Sequence, residues 1–186
     1  MQHFSILFTG FTLHLRECIG STHQYLLDYV LNQINLLQLD IKGILEHEEA
    51  GLGSPILDSL LSVYTNIYTQ LTESNCPHSI KNQFIACLIS NLSLALFNLI
   101  LENDNLINIT TGLKLQVIHS SIEEYAIRTS GNSLLSAIQP QIIRLKQLAL
   151  FFLMDKSSIT TQQLTSTCPN LTTLQLCHIL KHYSGN

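Results

Sequence analysis

Residues 84–101 read FIACLISNLSLALFNLIL, a run that is apolar around most of the circumference of a helix. Phe84, Leu88, Leu92, Ala95 and Leu99 trace one stripe, and Ile85, Ile89, Leu96 and Ile100 widen it beyond what one partner can cover. Such a helix has to be enclosed by others, so the pattern predicts the centre of a bundle. The rival reading is a membrane span, since the run is close to the roughly 17–25 residues that cross a bilayer. Ser90, Asn91, Ser93 and Asn98 interrupt it, and no cluster of Lys or Arg at its ends would orient it, which favours the core helix and no direct membrane insertion.

The flanking pattern supplies the neighbours. Ser21 and Gln24 have the spacing of a capping box, and Leu26, Val30, Ile34, Leu37, Ile41 and Leu45 then recur every three or four residues. This predicts one long N-terminal helix of about 25 residues running into the acidic string EHEEAG, with residues 1–20 left as a peripheral or remnant segment. Gly51 and Gly53 break the chain, and Ser54-Pro55 restart it with a cap followed by proline at the first helical position. Ile56, Leu60, Tyr64, Ile67 and Leu71 form the next stripe, and a short loop through Glu73, Ser74 and Asn75 favours an antiparallel connection to the central helix.

Beyond the polar break at 102–105, Gly112 precedes a helix whose apolar face is Leu115, Ile118, Ile122 and Tyr125, and which stops near Ser130-Gly131. Ile142, Leu145, Leu148, Ala149 and Phe152 define another helix that Pro140 either starts or kinks. Thr160/Gln163 and Thr172/Gln175 each fit a capping box and mark two short terminal helices. No alternating strand of useful length occurs, so the fold class is all-α, an antiparallel multi-helix bundle over residues 21–186.

Charge and chemistry narrow the function. Only 12% of residues are charged against 46% apolar, well below the roughly 25% usual in a soluble domain, which suggests that part of the surface is covered by other protein. Nine Lys and Arg within a net charge of -4 are scattered singly and form no basic stripe, so nucleic acid is not an expected partner. Five cysteines lack CxxC spacing, with Cys87 and Cys177 on helical patterns where a buried thiol is ordinary, and a reducing cytosol is the simpler setting. The sequon at Asn91 falls on the central helix, where a glycan would oppose packing.

His178 and His182 are four apart and share a helix face, but the sequence offers them no obvious third ligand, so no metal is expected. His47 stands among Glu46, Glu48 and Glu49 without the second histidine that a His-Glu-x-x-His site needs. No nucleophile elbow, phosphate loop or dinucleotide fingerprint is found. An enzyme and a cofactor are therefore not expected, which leaves binding through exposed helix faces and grooves.

Several strings, in order, resemble the dilute domain of the class V myosin tail. They are Gly43-Ile44-Leu45-Glu46-His47-Glu48-Glu49, Leu57-Asp58-Ser59-Leu60-Leu61, Leu96-Phe97-Asn98-Leu99-Ile100-Leu101, Thr111-Gly112-Leu113-Lys114-Leu115-Gln116, Ile122-Glu123-Glu124-Tyr125, and Asn170 to Leu176 continuing to Leu180 and Tyr183. With the long first helix that the first string ends, they cover roughly residues 22–183. Ile109 and Tyr125 stand where the family often has tryptophan, and the chain has no Trp.

The resemblance implies a non-enzymatic module of a cargo-binding tail, recognised by cargo adaptor proteins or small vesicle-associated GTPases and able to fold back on a myosin head in autoinhibition. It also implies a cytoplasmic location, with the actin cytoskeleton or vesicles. Similar dilute domains occur in junctional scaffolds with Ras-association and PDZ modules, which is the alternative reading. Contact residues are expected on the polar face of the 112–130 helix, namely Lys114, Glu123, Glu124 and Arg128. Taken singly, each of the four also fits a residue that merely solvates the helix or orients it against a neighbour.

Overall fold

The computed structural model describes residues 41–46, 54–156 and 161–183, all within the unit Asp40–Asn186. Every regular element among them is helical: α1 (Ile41–Glu46), α2 (Pro55–Glu73), α3 (His78–Glu102), a 3₁₀ turn (Asp104–Leu106), α4 (Ile109–Leu153), α5 (Thr161–Thr167) and α6 (Thr173–His182). The Ser21/Gln24 cap, the helix expected over 21–40 and the segment 1–20 lie outside the described residues, as do His47–Glu49 and Thr160. Helix α1 covers only the last six residues of the stretch expected to form one long N-terminal helix, and a long helix there is not among the described elements.

The central position of α3 follows from its composition. Twelve of its residues are buried, and it touches α1, α2, α4 and α6. The widening positions are the deepest, with Ile85, Ile89, Leu96 and Ile100 all at 0% exposure. By length and composition α3 could cross a membrane, but most of its apolar side chains are buried among the other helices. Asn91 is exposed, so packing does not argue against a glycan there, contrary to the expectation from its place in the apolar run.

Helix α2 begins with Pro55 at the first turn and buries Leu57, Leu60, Leu61 and Tyr64. Ser54 sits at the N-cap, yet its hydroxyl makes no capping bond. The chain reverses through Asn75, whose φ of 54° is left-handed, a conformation that asparagine tolerates better than most residues. The Tyr64 hydroxyl donates to the Leu88 carbonyl (3.5 Å), and Lys81 Nζ donates to Thr72 Oγ1 (2.9 Å) while lying 4.9 Å from the centre of the Tyr68 ring. A buried lysine is thus partnered by a hydroxyl and a π face.

Helix α4 starts at Ile109, earlier than the expected start after Gly112, because Asn108 caps it: the Asn108 side chain accepts from the Thr111 amide at 2.8 Å. The expected stop at Ser130-Gly131 is a sharp bend, with Ser130 at φ -151°, ψ 16° and Gly131 at φ 62°. Two arms result, residues 109–129 and 132–153. They run antiparallel, since Gly112 near the start of the first faces Phe152 near the end of the second. Pro140 neither starts nor bends a helix; it is exposed within the second arm, where water can reach the carbonyl it leaves without a partner.

A polar cluster closes the bend. Tyr68 donates to Ser130 Oγ (3.0 Å), Asn82 Nδ2 donates to Ser133 Oγ (3.0 Å), and His78 Nε2 lies 2.9 Å from Ser133 Oγ. These groups join the end of α2, the start of α3 and the bend of α4, so one end of the bundle is held by hydrogen bonds that replace the interrupted helix ladder.

At the opposite end the C-terminal helices seal the second arm. Gln147, buried, accepts from the Asn170 amide through Oε1 (2.9 Å), and buried Cys168 lies against it, its thiol pKa pushed up by burial. Lys156 Nζ and the Tyr183 hydroxyl both donate to the Phe152 carbonyl, at 2.9 and 3.0 Å, closing the last turn of α4. Cys177 is exposed, not buried as its helical position suggested.

The Thr172/Gln175 capping box forms as its spacing predicts: Gln175 Oε1 accepts from the Thr172 amide (2.9 Å), and Thr172 Oγ1 accepts from the Gln175 amide (3.3 Å). Thr172→Ala should therefore cost about 1 kcal/mol. The measurement is a lower urea midpoint at unchanged m-value, with amide exchange accelerated over 173–182.

Candidate interaction surface

The first arm of α4 divides cleanly by helical angle. Leu115, Ile118, Ile122 and Tyr125 turn inward and are buried as their spacing predicts. At 100° per residue the opposite side collects Ile109, Thr110, Leu113, Gln116, Ser120, Glu124, Ile127 and Arg128, and all eight are exposed. Leu113 and Ile127 are 49% and 52% exposed, far more than a core aliphatic.

Of the four residues expected to make contacts, Glu124 and Arg128 lie within this stripe. Their side chains approach to 3.7 Å as an i,i+4 pair and are each about two-thirds or more exposed, so the pair adds little to stability. Lys114 and Glu123 lie on its two flanks and are engaged inside the fold. Lys114 Nζ donates to the Leu45 carbonyl near the end of α1, tying α1 to α4. Glu123 Oε1 is 3.2 Å from His119 Nε2 and 3.9 Å from Lys146 Nζ, which links the two arms of α4. Burial lowers the His119 pKa, the Glu123 charge opposing that shift and the Lys146 charge adding to it.

Open grooves flank the arm on both sides. One, of about 700 Å³, is lined by Asp58, Thr65 and Tyr68 of α2 and by Tyr125, Arg128 and Thr129 of α4. Another, of about 440 Å³, is lined by His119 and Glu123 of the first arm and by Pro140, Ile143 and Lys146 of the second. The Tyr125 hydroxyl at the base of the first groove has its pKa raised by burial, so it stays a neutral phenol there. Arg128 and Glu123 thus stand at grooves on opposite sides of one exposed helix.

The apolar members of the stripe were not among the expected contact residues. Leu113 and Ile127 fall two turns or more apart and off the buried face, and the same periodicity that marks Leu115 and Ile122 as core marks them as misplaced. That mismatch was the available signal.

A comparison with curated proteins finds no match. The sequence model of the DIL domain matches residues 83–186, more than half of the chain, and takes in most of α3, all of α4 with its stripe, the smaller groove, and both C-terminal helices, while the α2 wall of the larger groove precedes it. The resembling strings at 43–49 and 57–61 precede the matched region. The dilute-like character read from the strings at 96–101, 111–116, 122–125 and 170–176 is that of the matched segment, and the chain belongs to the DIL domain family, whose members are non-catalytic protein-interaction modules.

Proposed function

We propose that this chain is a cargo-recognition module of the class V myosin tail type, binding cargo adaptor proteins or vesicle-associated small GTPases in the cytoplasm. The observation that carries the reading is the exposed stripe on the first arm of α4, where Leu113 and Ile127 stand beside Glu124 and Arg128. Exposed aliphatic groups next to charges supply both burial energy and orientation to a protein partner. The family match supports a binding role, and the low charge content supports a surface partly covered by other protein. The same reading takes residues 21–186 as the domain, with 1–20 peripheral, and leaves attachment to actin-based transport to the rest of the parent protein.

The test uses the full chain against a panel of vesicle-associated small GTPases, loaded with a GTP analogue or GDP, and of adaptor fragments. Leu113→Ser, Glu124→Lys and Ile127→Ser are combined, because all three side chains are exposed and the fold does not depend on them. Lys114 is left intact, since its loss would free the Leu45 carbonyl and confuse folding with binding. At least one panel member should bind, and the triple variant should weaken it by about tenfold or more at unchanged Tm. Binding that survives the triple substitution would reject this surface, and no binding at all would reject the cargo reading.

A further inference from the structure

The ends of α3 and α6 meet at a cluster that the interaction surface does not use. His178 and His182 stand one turn apart on α6 with ring centroids 4.7 Å apart. Asp104, from the 3₁₀ turn that follows α3, brings Oδ2 to 2.9 Å from His182 Nδ1. This is the third group that spacing along the chain did not reveal. One ligand-type atom from each of the three lies within 4.8 Å of the others.

We propose that Asp104, His178 and His182 form a binding site for a divalent transition ion of the zinc type. Three atoms bound tetrahedrally at about 2.0–2.2 Å from zinc stand roughly 3.3 Å apart, so the present cluster reaches that geometry through small side-chain rotations. The His178 ring is held by the backbone. Its Nε2 lies 2.9 Å from the Leu101 carbonyl, so that nitrogen carries the proton and donates, leaving the Nδ1 lone pair for the ion. An imidazole held by a backbone carbonyl on its far side is the usual outer support of a metal ligand.

The backbone field acts in the same direction. Helix α3 ends at Glu102 and α6 at His182, so two helix C-termini, each with partial negative charge, converge on the cluster. Two imidazoles and one carboxylate select zinc, cobalt, nickel or copper over magnesium and calcium, which prefer oxygen ligands alone. The Asp104 side chain is 57% exposed, which leaves the fourth position to water. Binding would staple α6 to the end of α3, adding a cross-link between the C-terminal helix and the core.

The test titrates Zn²⁺, Co²⁺ and Mg²⁺ into the full chain after stripping with a chelator, reading calorimetric stoichiometry and Tm. One Zn²⁺ per chain, a rise in Tm with Zn²⁺ and none with Mg²⁺ are expected. Asp104→Asn, His178→Gln and His182→Gln should each weaken Zn²⁺ binding by about tenfold or more and abolish the Tm rise. The amide introduced by Asp104→Asn can still accept a hydrogen bond, and that introduced by His178→Gln can still donate to the Leu101 carbonyl, so circular dichroism should show an intact fold. Absence of binding, or binding unchanged in Asp104→Asn and His182→Gln, would overturn the site; the second outcome would place the ion among the other histidines or the five cysteines. A Tm that falls in the variants without any response to Zn²⁺ would leave only a His182–Asp104 ion pair, and would equally overturn it.

Discussion

Phe152→Ala should remove about 3–5 kcal/mol of folding free energy, a large part of what holds a domain of this size together. The Phe152 ring is fully buried at the end of the second arm of α4 and packs at 6.2 Å edge-on to Phe151 and at 6.2 Å against Tyr183. Truncation deletes the ring where the two arms of α4 and the C-terminal residues converge, and backbone tethers limit how far the site can collapse. The Tyr183 hydroxyl and Lys156 Nζ bond to the carbonyl of residue 152, not to its side chain, so they survive the substitution and keep the cavity open. Equilibrium unfolding in urea measures the loss as a lower midpoint at unchanged slope. A loss below about 1 kcal/mol would mean that the arms do not close on this ring.

The substitution Gly112→Ala decides between two opposed expectations. Helix propensity alone favours alanine by about 1 kcal/mol in the interior of a helix. In this fold a methyl group at 112 would stand 2.7 Å from Phe152 Cβ, 3.3 Å from Leu153 Cγ and 3.4 Å from the Ala149 carbonyl. A Cβ is fixed to its backbone and cannot swing aside, so the two arms would have to separate by roughly 1 Å to restore van der Waals contact. Overpacking of that kind costs about 1–3 kcal/mol and outweighs the propensity gain. Gly112→Ala should therefore lower Tm by several degrees, and a rise would show that the arms are not in close contact there. Because alanine at 152 retains the Cβ, Phe152→Ala should not rescue Gly112→Ala, whereas Phe152→Gly should relieve the overlap. A double-mutant cycle separates the two cases.

The close approach at Gly112 illustrates where reading the chain residue by residue stops. Gly112 was expected to precede the helix, which was to begin after it. In the fold it lies inside the first turns of α4, and its missing side chain serves a neighbour forty residues away in sequence. Pro140 misleads in the same manner, since a residue that weakens a helix in isolation is accommodated once the apolar positions around it are buried. Ser130-Gly131, by contrast, was legible, because a positive φ at a glycine is a local property that needs no partner.

The candidate sites divide along the same line. The charged residues at 114, 123, 124 and 128 were visible as a polar face, yet two of the four hold the fold together and two pair only with each other in the exposed stripe, a distinction set by α1 and the second arm of α4. The aliphatic half of the stripe, Leu113 and Ile127, acquires meaning only when the surroundings leave it uncovered. Asp104 joins His178 and His182 across more than seventy positions, a separation no spacing rule connects.

Periodicity, caps and a single bend were written into the chain locally: an all-helical course, a central helix too apolar to stand alone, and a C-terminal capping box, each governed by interactions within a few residues. Which polar groups became structural ties, which apolar groups stayed in solvent and which ligand-type side chains met were settled by packing between helices. The physical reason is that burial and proximity are properties of pairs of distant segments, and such pairs exist only after the chain has folded.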